Sequence, residues 1–523
     1  MNSDLEPDFV TNLLSRGSSL NNVFRTNNPP SSDQRDQIIN LVRDIENYID
    51  PRDQLDPTAF DSEPRTLQQL KELCTACKSA LSSLRQMPPE IISYIFSKSI
   101  PAAPVDFDNE PWDTLDVTRE PWTLAQISSS WRAIAFANRE IWSFIRLNLE
   151  IIYVAGKRPP ALATLQCCLE RSGNHALSIY FKDSYAPMAE AGRLLIALLS
   201  HSSRWINVTM SMPFVNVQQL AKVRLRLPLL HHLDISAYGA NTFGILDAFE
   251  VAPRLREASL SVGDPCTVLL PWSQLTKFQG WVIPSLDVLS HASQVVDCSL
   301  SFDSWYTKDP TVPVVRSHAL RRLQINLECA LDGLEAPLLE DLHIGHLDDS
   351  AAPGMTHVTS FIRRSSCSLK SLLFSRITLE HESDLIPLLE STPSLAFLQV
   401  RYGSVNWDAL MHALTITGTR CLLPNLKTAS FVFGKTTTML NPHPHVNSSK
   451  LMDMIESRFH VDGREGVTPL ESIALIELAQ PLSTQLARLA VLKEQGLKVI
   501  DDMQLGEDIP PVVRWTWVDY LGP

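Results

Sequence analysis

Apolar residues recur along this chain in two rhythms. A spacing of three and four residues dominates up to about residue 150, and a spacing of two recurs after it. The first rhythm predicts amphipathic helices and the second predicts strands with one buried face. Residues 1–32 carry neither and are rich in Asn and Ser, so the expectation there is a disordered tail. A helix is expected from Ser32-Asp33, with Ile38, Leu41, Val42, Ile45 and Ile49 on one stripe. Asp50-Pro51 should end it, because a residue preceding proline is pushed out of the helical region. A second helix is expected over Glu63 to Arg85, with Leu67, Leu70, Leu73, Cys74, Cys77, Leu81 and Leu84 aligned. The two stripes fit an antiparallel pair over 33–85; the alternative is that they serve a partner.

A denser stretch follows, from Met87 to Ile145. Pro88-Pro89 fits a helix start, since proline in the first turn sacrifices no bonded amide. Ile91, Ile92, Ile95 and Phe96 follow at helical spacing, and Pro101 should stop the helix. Residues 101–120 read as a loop. A helix from Trp122 to Phe136 would align Leu124, Ile127, Trp131 and Ile134, with Asn138 as its stop, and a short turn would carry Ile141, Trp142 and Ile145. Three short helices of this kind need neighbours for stability.

This stretch resembles an F-box. The family's Leu-Pro-x-Glu-Ile/Leu opening appears as Met87-Pro88-Pro89-Glu90-Ile91-Ile92, with the apolar pair Ile95-Phe96 after it. The later segment ending in Trp-Arg appears as Ile127-Ser128-Ser129-Ser130-Trp131-Arg132, and the closing Leu-Trp element as Ile141-Trp142. A helical preface, a double proline and a long insert resemble the F-box-like proteins expanded in mushroom-forming fungi. Two departures stand out: Met87 for the usual leucine, and the insert of about 20 residues before the second helix. The resemblance implies docking onto a Skp-family adaptor through Pro88, Pro89, Glu90, Ile91, Ile92, Ile95, Phe96, Ile127 and Trp131. Through that adaptor the chain would join a cullin–RING (SCF-type) ubiquitin ligase.

From residue 150 one theme returns: an apolar anchor, two residues, an apolar residue, one residue, an apolar residue. Examples are Trp205/Val208/Met210, Leu230/Leu233/Ile235, Leu320/Leu323/Ile325, Leu339/Leu342/Ile344, Leu395/Leu398/Val400 and Leu470/Ile473/Leu475, with Leu275/Phe278 and Val295/Cys298/Leu300 as weaker members. A proline often precedes the anchor, as at Pro228, Pro337 and Pro393. Anchors recur mostly every 19 to 31 residues, which is the period of leucine-rich repeats. Helices are expected between strands at Ala189–Leu199, Met355–Arg363, Leu385–Glu390, Trp407–Leu414 and Leu451–Phe459. The Asn or Cys that closes each turn of a regular repeat is largely replaced, so the expected array is irregular. The fold expectation is therefore α/β: N-terminal helices, an F-box-like module over 86–147, and an irregular leucine-rich-repeat solenoid, a horseshoe, over 150–509. Leu482, Leu486, Leu489 and Leu492 should form a last helix capped by Gly496, before a strand at 497–500. The segment 510–523, with Trp515, Trp517 and Tyr520, should cap the array.

Composition narrows the function. The chain has 523 residues, 44% hydrophobic and 20% charged, with a formal net charge of -13. That length exceeds one compact core unless the core is quasi-linear. The acidic balance argues against nucleic-acid binding, and the densest basic cluster, Lys222, Arg224 and Arg226, reads as the exposed side of a strand. The N-terminus lacks signal-peptide order and no apolar run reaches membrane-spanning length, so a cytosolic or nuclear protein without a membrane partner is expected. The nine cysteines are then expected to be reduced and structural, Cys74-x-x-Cys77 included, since no second ligand pair follows it. His443-Pro444-His445 is read as a surface loop, so no metal is expected. The sequence carries no phosphate loop, nucleophile elbow, zinc-protease helix or dinucleotide glycine cluster. The expectation is a non-catalytic substrate receptor without cofactor, whose contribution to rate is proximity. Its target would be a protein gripped by exposed strand positions: His231, His232, Arg321, Arg322, Asp341, His343, Lys370 and Gln399. The alternative is an interaction scaffold with no ligase role.

Overall fold

The structure, a computed structural model, describes residues 6–26, 28–53, 65–100, 113–149, 161–183, 189–239, 244–283, 285–302, 314–345, 354–375, 385–401, 406–418, 420–433, 446–461, 464–476 and 485–500. The chain divides into two compact units, Met1–Tyr180 with Ala189–Ala197, and Phe181–Met188 with Leu198–Pro523. The architecture is mixed α/β, with many helices and a large parallel sheet.

The first unit opens with four helices: α1 (Glu6–Ser19), α2 (Asn21–Arg25), α3 (Ser32–Asp53) and α4 (Arg65–Ala80). The expected N-terminal tail is thus corrected to two helices. Leu13 is fully buried in one cluster with Ile38, Leu41, Ile45, Leu70 and Cys77, so α1 completes a core that the helix pair alone would leave open. Gly17 permits the close approach, because a Cβ there would meet the Leu73 side chain at 2.6 Å. Ion pairs Arg16–Asp44 (2.7 Å) and Lys78–Glu46 (2.8 Å) flank this core. α3 runs to Asp53, three residues past its expected end at Asp50. α4 ends at Ala80 rather than Arg85, and a short 3-10 turn at Ser83–Gln86 follows, with the Ser82 hydroxyl accepting from the Leu84 amide.

Next come α5 (Pro89–Ser99) and, in place of the single helix expected over Trp122–Phe136, the two helices α6 (Leu124–Ile127) and α7 (Ser129–Ala137). Ser128 makes the break. Its backbone is extended and its hydroxyl caps α7 by accepting from the Trp131 amide at 3.1 Å. Asn138 closes α7 and donates to Ser93 and Ser97 on α5 at 2.9 to 3.1 Å, fastening the two helices. Part of the insert expected as a loop is anchored: Asp113, Thr114 and Leu115 are buried. Thr114 and Arg146 exchange two hydrogen bonds at 2.8 and 2.9 Å, and Asp113 accepts from the Asn148 amide at 3.0 Å. Residues 101–112 lie outside the described residues. The strands Phe144–Asn148 and Leu177–Lys182 follow, neither marked by the repeated theme.

In the second unit the strands from Trp205–Pro213 to Lys498–Ile500 pair in chain order, every pair parallel, except that the short strands Val315–Arg316 and Leu334–Glu335 are passed over and pair with each other. Equivalent anchors stack in register: Val208 on Leu233, Leu323 on Leu342, Leu342 on Leu372, Leu398 on Ala429, and Ala429 on Ile473. All of these are buried, as the two-residue period requires when one sheet face is covered. The intervening helices, including Gly354–Ser365, Leu385–Glu390, Trp407–Leu414 and Ser448–Phe459, bury their apolar sides. The register slips once, between Gly280 and Ile283, where a Cβ on Gly280 would lie 2.6 Å from the Ile283 side chain. The cluster Lys222, Arg224 and Arg226 is not strand: Gln218–Val223 is a 3-10 turn, and Arg224 reaches Asp247 at 2.9 Å. Leu482, His443, His445 and the segment 510–523 lie outside the described residues.

Candidate functional site

Two surfaces collect the residues singled out from sequence. The first lies on α5, α6 and α7. Helical geometry sends Ile92 and Phe96 inward, at 5% and 1% exposure, while Ile91 and Ile95, four residues apart, stay 48% and 41% exposed. Phe96 packs against Trp131 with ring centroids 5.0 Å apart, and Trp131 is half-buried. Ile127, at the Ser128 break, is 57% exposed, and Pro88, Pro89 and Glu90 are exposed. Of the nine residues expected to meet a partner, Ile92 and Phe96 are therefore corrected to core, because an 11-residue helix cannot present both stripes outward. Tyr94 and Leu84 join the exposed apolar set and were missed. The three-residue spacing from Ile91 was the available signal for Tyr94.

A groove of about 490 Å³ opens beside this surface, between the α4–α5 connection and α7. Ser79, Arg85, Ile92, Ile127, Ser130 and Trp131 line it. Arg85 is half-buried and donates to the carbonyls of Val23 and Thr26, each at 2.9 Å. Burial lowers its pKa from the ordinary arginine value.

The second surface is the sheet face opposite the buried anchors. One row pairs basic side chains with carboxylates on neighbouring strands. His232 lies 3.3 Å from Glu257, and Arg322 3.0 Å from Asp297. A neighbouring row pairs both Arg321 and Lys370 with Glu340 at 3.0 Å, and Lys427 with Glu471 at 2.9 Å. The hydrogen bond from His232 holds the Glu257 carboxyl below the usual carboxylate range, against its burial. Lys370, by hydrogen bond and charge, does the same at Glu340. Burial pushes the half-buried Asp341 carboxyl up, offset in part by a hydrogen bond from Ser371. His231 is exposed.

Two expected contact residues are corrected. His343 and Gln399 are 3% and 7% exposed, because flanking strands crowd the middle position of each strand on this face. The His343 ring reaches the Ser375 hydroxyl at 2.5 Å, and burial, with Arg401 nearby, lowers its pKa to about 4. It is a buried neutral imidazole fastening two strand ends. Cys74 and Cys77 are buried in α4, and burial pushes the Cys77 thiol up to about 12. Among the described residues no three His, Cys, Asp or Glu side chains are placed to hold a metal, and no helix is long and apolar enough to cross a membrane.

Neither any protein-family model nor any curated protein sequence matches this chain.

Proposed function

We propose that the chain is a non-catalytic substrate receptor. Its F-box-like module, Met87 to Ile145, docks a Skp-family adaptor of a cullin–RING ubiquitin ligase. The parallel sheet is read as an irregular leucine-rich-repeat array whose open face holds a target protein. One observation carries the docking half. The module has its own core of Ile92, Phe96, Ile134, Ile141 and Trp142, yet leaves Ile91, Tyr94, Ile95 and Ile127 between 41% and 61% exposed. Large apolar side chains clustered outside a completed core mark an interaction surface. The receptor half rests on the stacked strands, which present a long polar face of fixed register.

The test is co-purification of full-length protein with a Skp-family adaptor. Wild type should retain the adaptor. Ile95→Asp combined with Ile127→Asp should lose it while thermal unfolding stays unchanged, because both side chains already face solvent. A double variant that still retains the adaptor would sink the docking reading and leave the interaction scaffold.

A further inference from the structure

The groove beside the docking surface holds a cation without a counter-charge. Arg85 spends two donors of one guanidinium nitrogen on the Val23 and Thr26 carbonyls. Among the described residues no carboxylate lies within 4 Å of it. The chain as a whole is acidic, at -13, and Arg321, Arg322 and Lys370 on the sheet face are matched with carboxylates. A half-buried guanidinium pays for desolvation without the Coulomb return that a nearby carboxylate gives. The groove is also two-ended. Ser79, Ser82 and Ser130 supply hydroxyls, while Ile92, Ile134 and Trp131 supply an apolar floor. Its volume, about 490 Å³, accommodates one or two side chains.

We infer that this groove receives an acidic–apolar peptide segment of the docked adaptor, with a carboxylate on Arg85 and the adjoining apolar side chain against Trp131 and Ile127. This rests on the docking proposed above and specifies its partner chemistry. Charge complementarity selects the occupant: a basic or purely apolar segment would leave Arg85 desolvated and unpaired. The helical preface acquires a role thereby, since α2 holds Arg85 in place and α4 forms one wall.

The experiment is calorimetric titration of the full-length chain with a purified Skp-family adaptor at low and moderate salt. Arg85→Gln should weaken binding about tenfold and flatten its salt dependence, whereas Arg85→Lys should keep most of the affinity. Ser79→Trp fills the groove from an exposed helical position without touching the guanidinium, and should weaken binding comparably. It carries the test if Arg85→Gln loosens the preface, which circular dichroism would show. On the adaptor, replacing acidic residues that adjoin apolar ones by their amides, singly, should yield one variant whose loss does not add to that of Arg85→Gln. If wild type binds and the folded Arg85→Gln and Ser79→Trp variants bind equally well, the inference is overturned and the docking stands. If wild type does not bind the adaptor, both fall together.

Discussion

At Arg171 three aromatic rings close around one guanidinium. Its carbon lies 4.7 Å from the Trp122 ring centroid, 4.1 Å from Phe136 and 4.5 Å from Trp142. Trp122 and Trp142 also meet edge-on at 5.1 Å. Stacking of this kind ties the helix Ala161–Arg171 to the module before it and is worth about 2 kcal/mol in a partly desolvated setting. Arg171→Ala should therefore lower the urea midpoint with the slope unchanged, and Arg171→Lys should recover part of the loss. His343 adds a pH dependence. Unfolded, it takes up a proton as pH falls through its ordinary value of about 6.5; folded, it resists until about 4. The unfolded state thus binds more protons between those values, so stability declines as pH drops from 6.5 towards 4. The share from this residue is about 3 kcal/mol, and His343→Gln should remove it from a pH series of unfolding curves. None of this was legible beforehand: a histidine at a strand position reads as exposed until its neighbours are placed.

At the scale of elements, the helix Ser448–Phe459 shows how a charged residue becomes structural. Arg458 is 1% exposed and donates to the carbonyls of Leu414 (2.6 Å), Leu423 (3.1 Å) and Leu422. Burial lowers its pKa to about 10. The Leu422 and Leu423 carbonyls belong to an irregular turn in which Leu423 has a positive φ of 55°, and the Leu414 carbonyl ends the helix Trp407–Leu414, so the arginine supplies donors at both. Arg458→Met keeps the stem but orphans the carbonyls, and should cost about 3 kcal/mol by denaturant unfolding. Element type was largely readable. The helices Leu385–Glu390 and Trp407–Leu414 lie at their expected bounds, and the strand anchors stack as their spacing demanded. Failures came where one side chain overrides a pattern. Ser128 breaks a helix whose apolar spacing runs straight through it. Leu13 makes α1 a core element within a segment whose composition reads as a tail.

At the scale of the molecule, the chain divides into two units at residues 180–198 and not at the change of rhythm near residue 150, because the strand Phe144–Asn148 and most of Leu177–Lys182 belong with the helices before them. The two classes of apolar residue in the Met87–Ile145 module make a direct comparison. Phe96→Asp buries a charge in the core and should unfold the first unit outright. Ile127→Asp should shift its melting temperature by less than a degree or two, since surface substitutions stay within about 0.5 kcal/mol. Hydrogen exchange over α5 and α7 would separate the two outcomes.

The amino-acid sequence by itself determined the class of fold and its order along the chain. Periodicity is a local property: alternating anchors such as Leu342 and Ile344 must share a face wherever the strand lies, and proline or glycine punctuates whatever surrounds it. Tertiary structure alone decided which side chains are left over for function. Ile91 and Ile92 are indistinguishable neighbours in sequence, yet one is core and one is surface, because exposure depends on what α7 places against α5. Arg85 is likewise one basic residue among 45 lysines and arginines until the fold brings Val23, Thr26 and Trp131 around its groove. Burial and pairing belong to neighbours distant in the chain, and a one-dimensional pattern does not carry them.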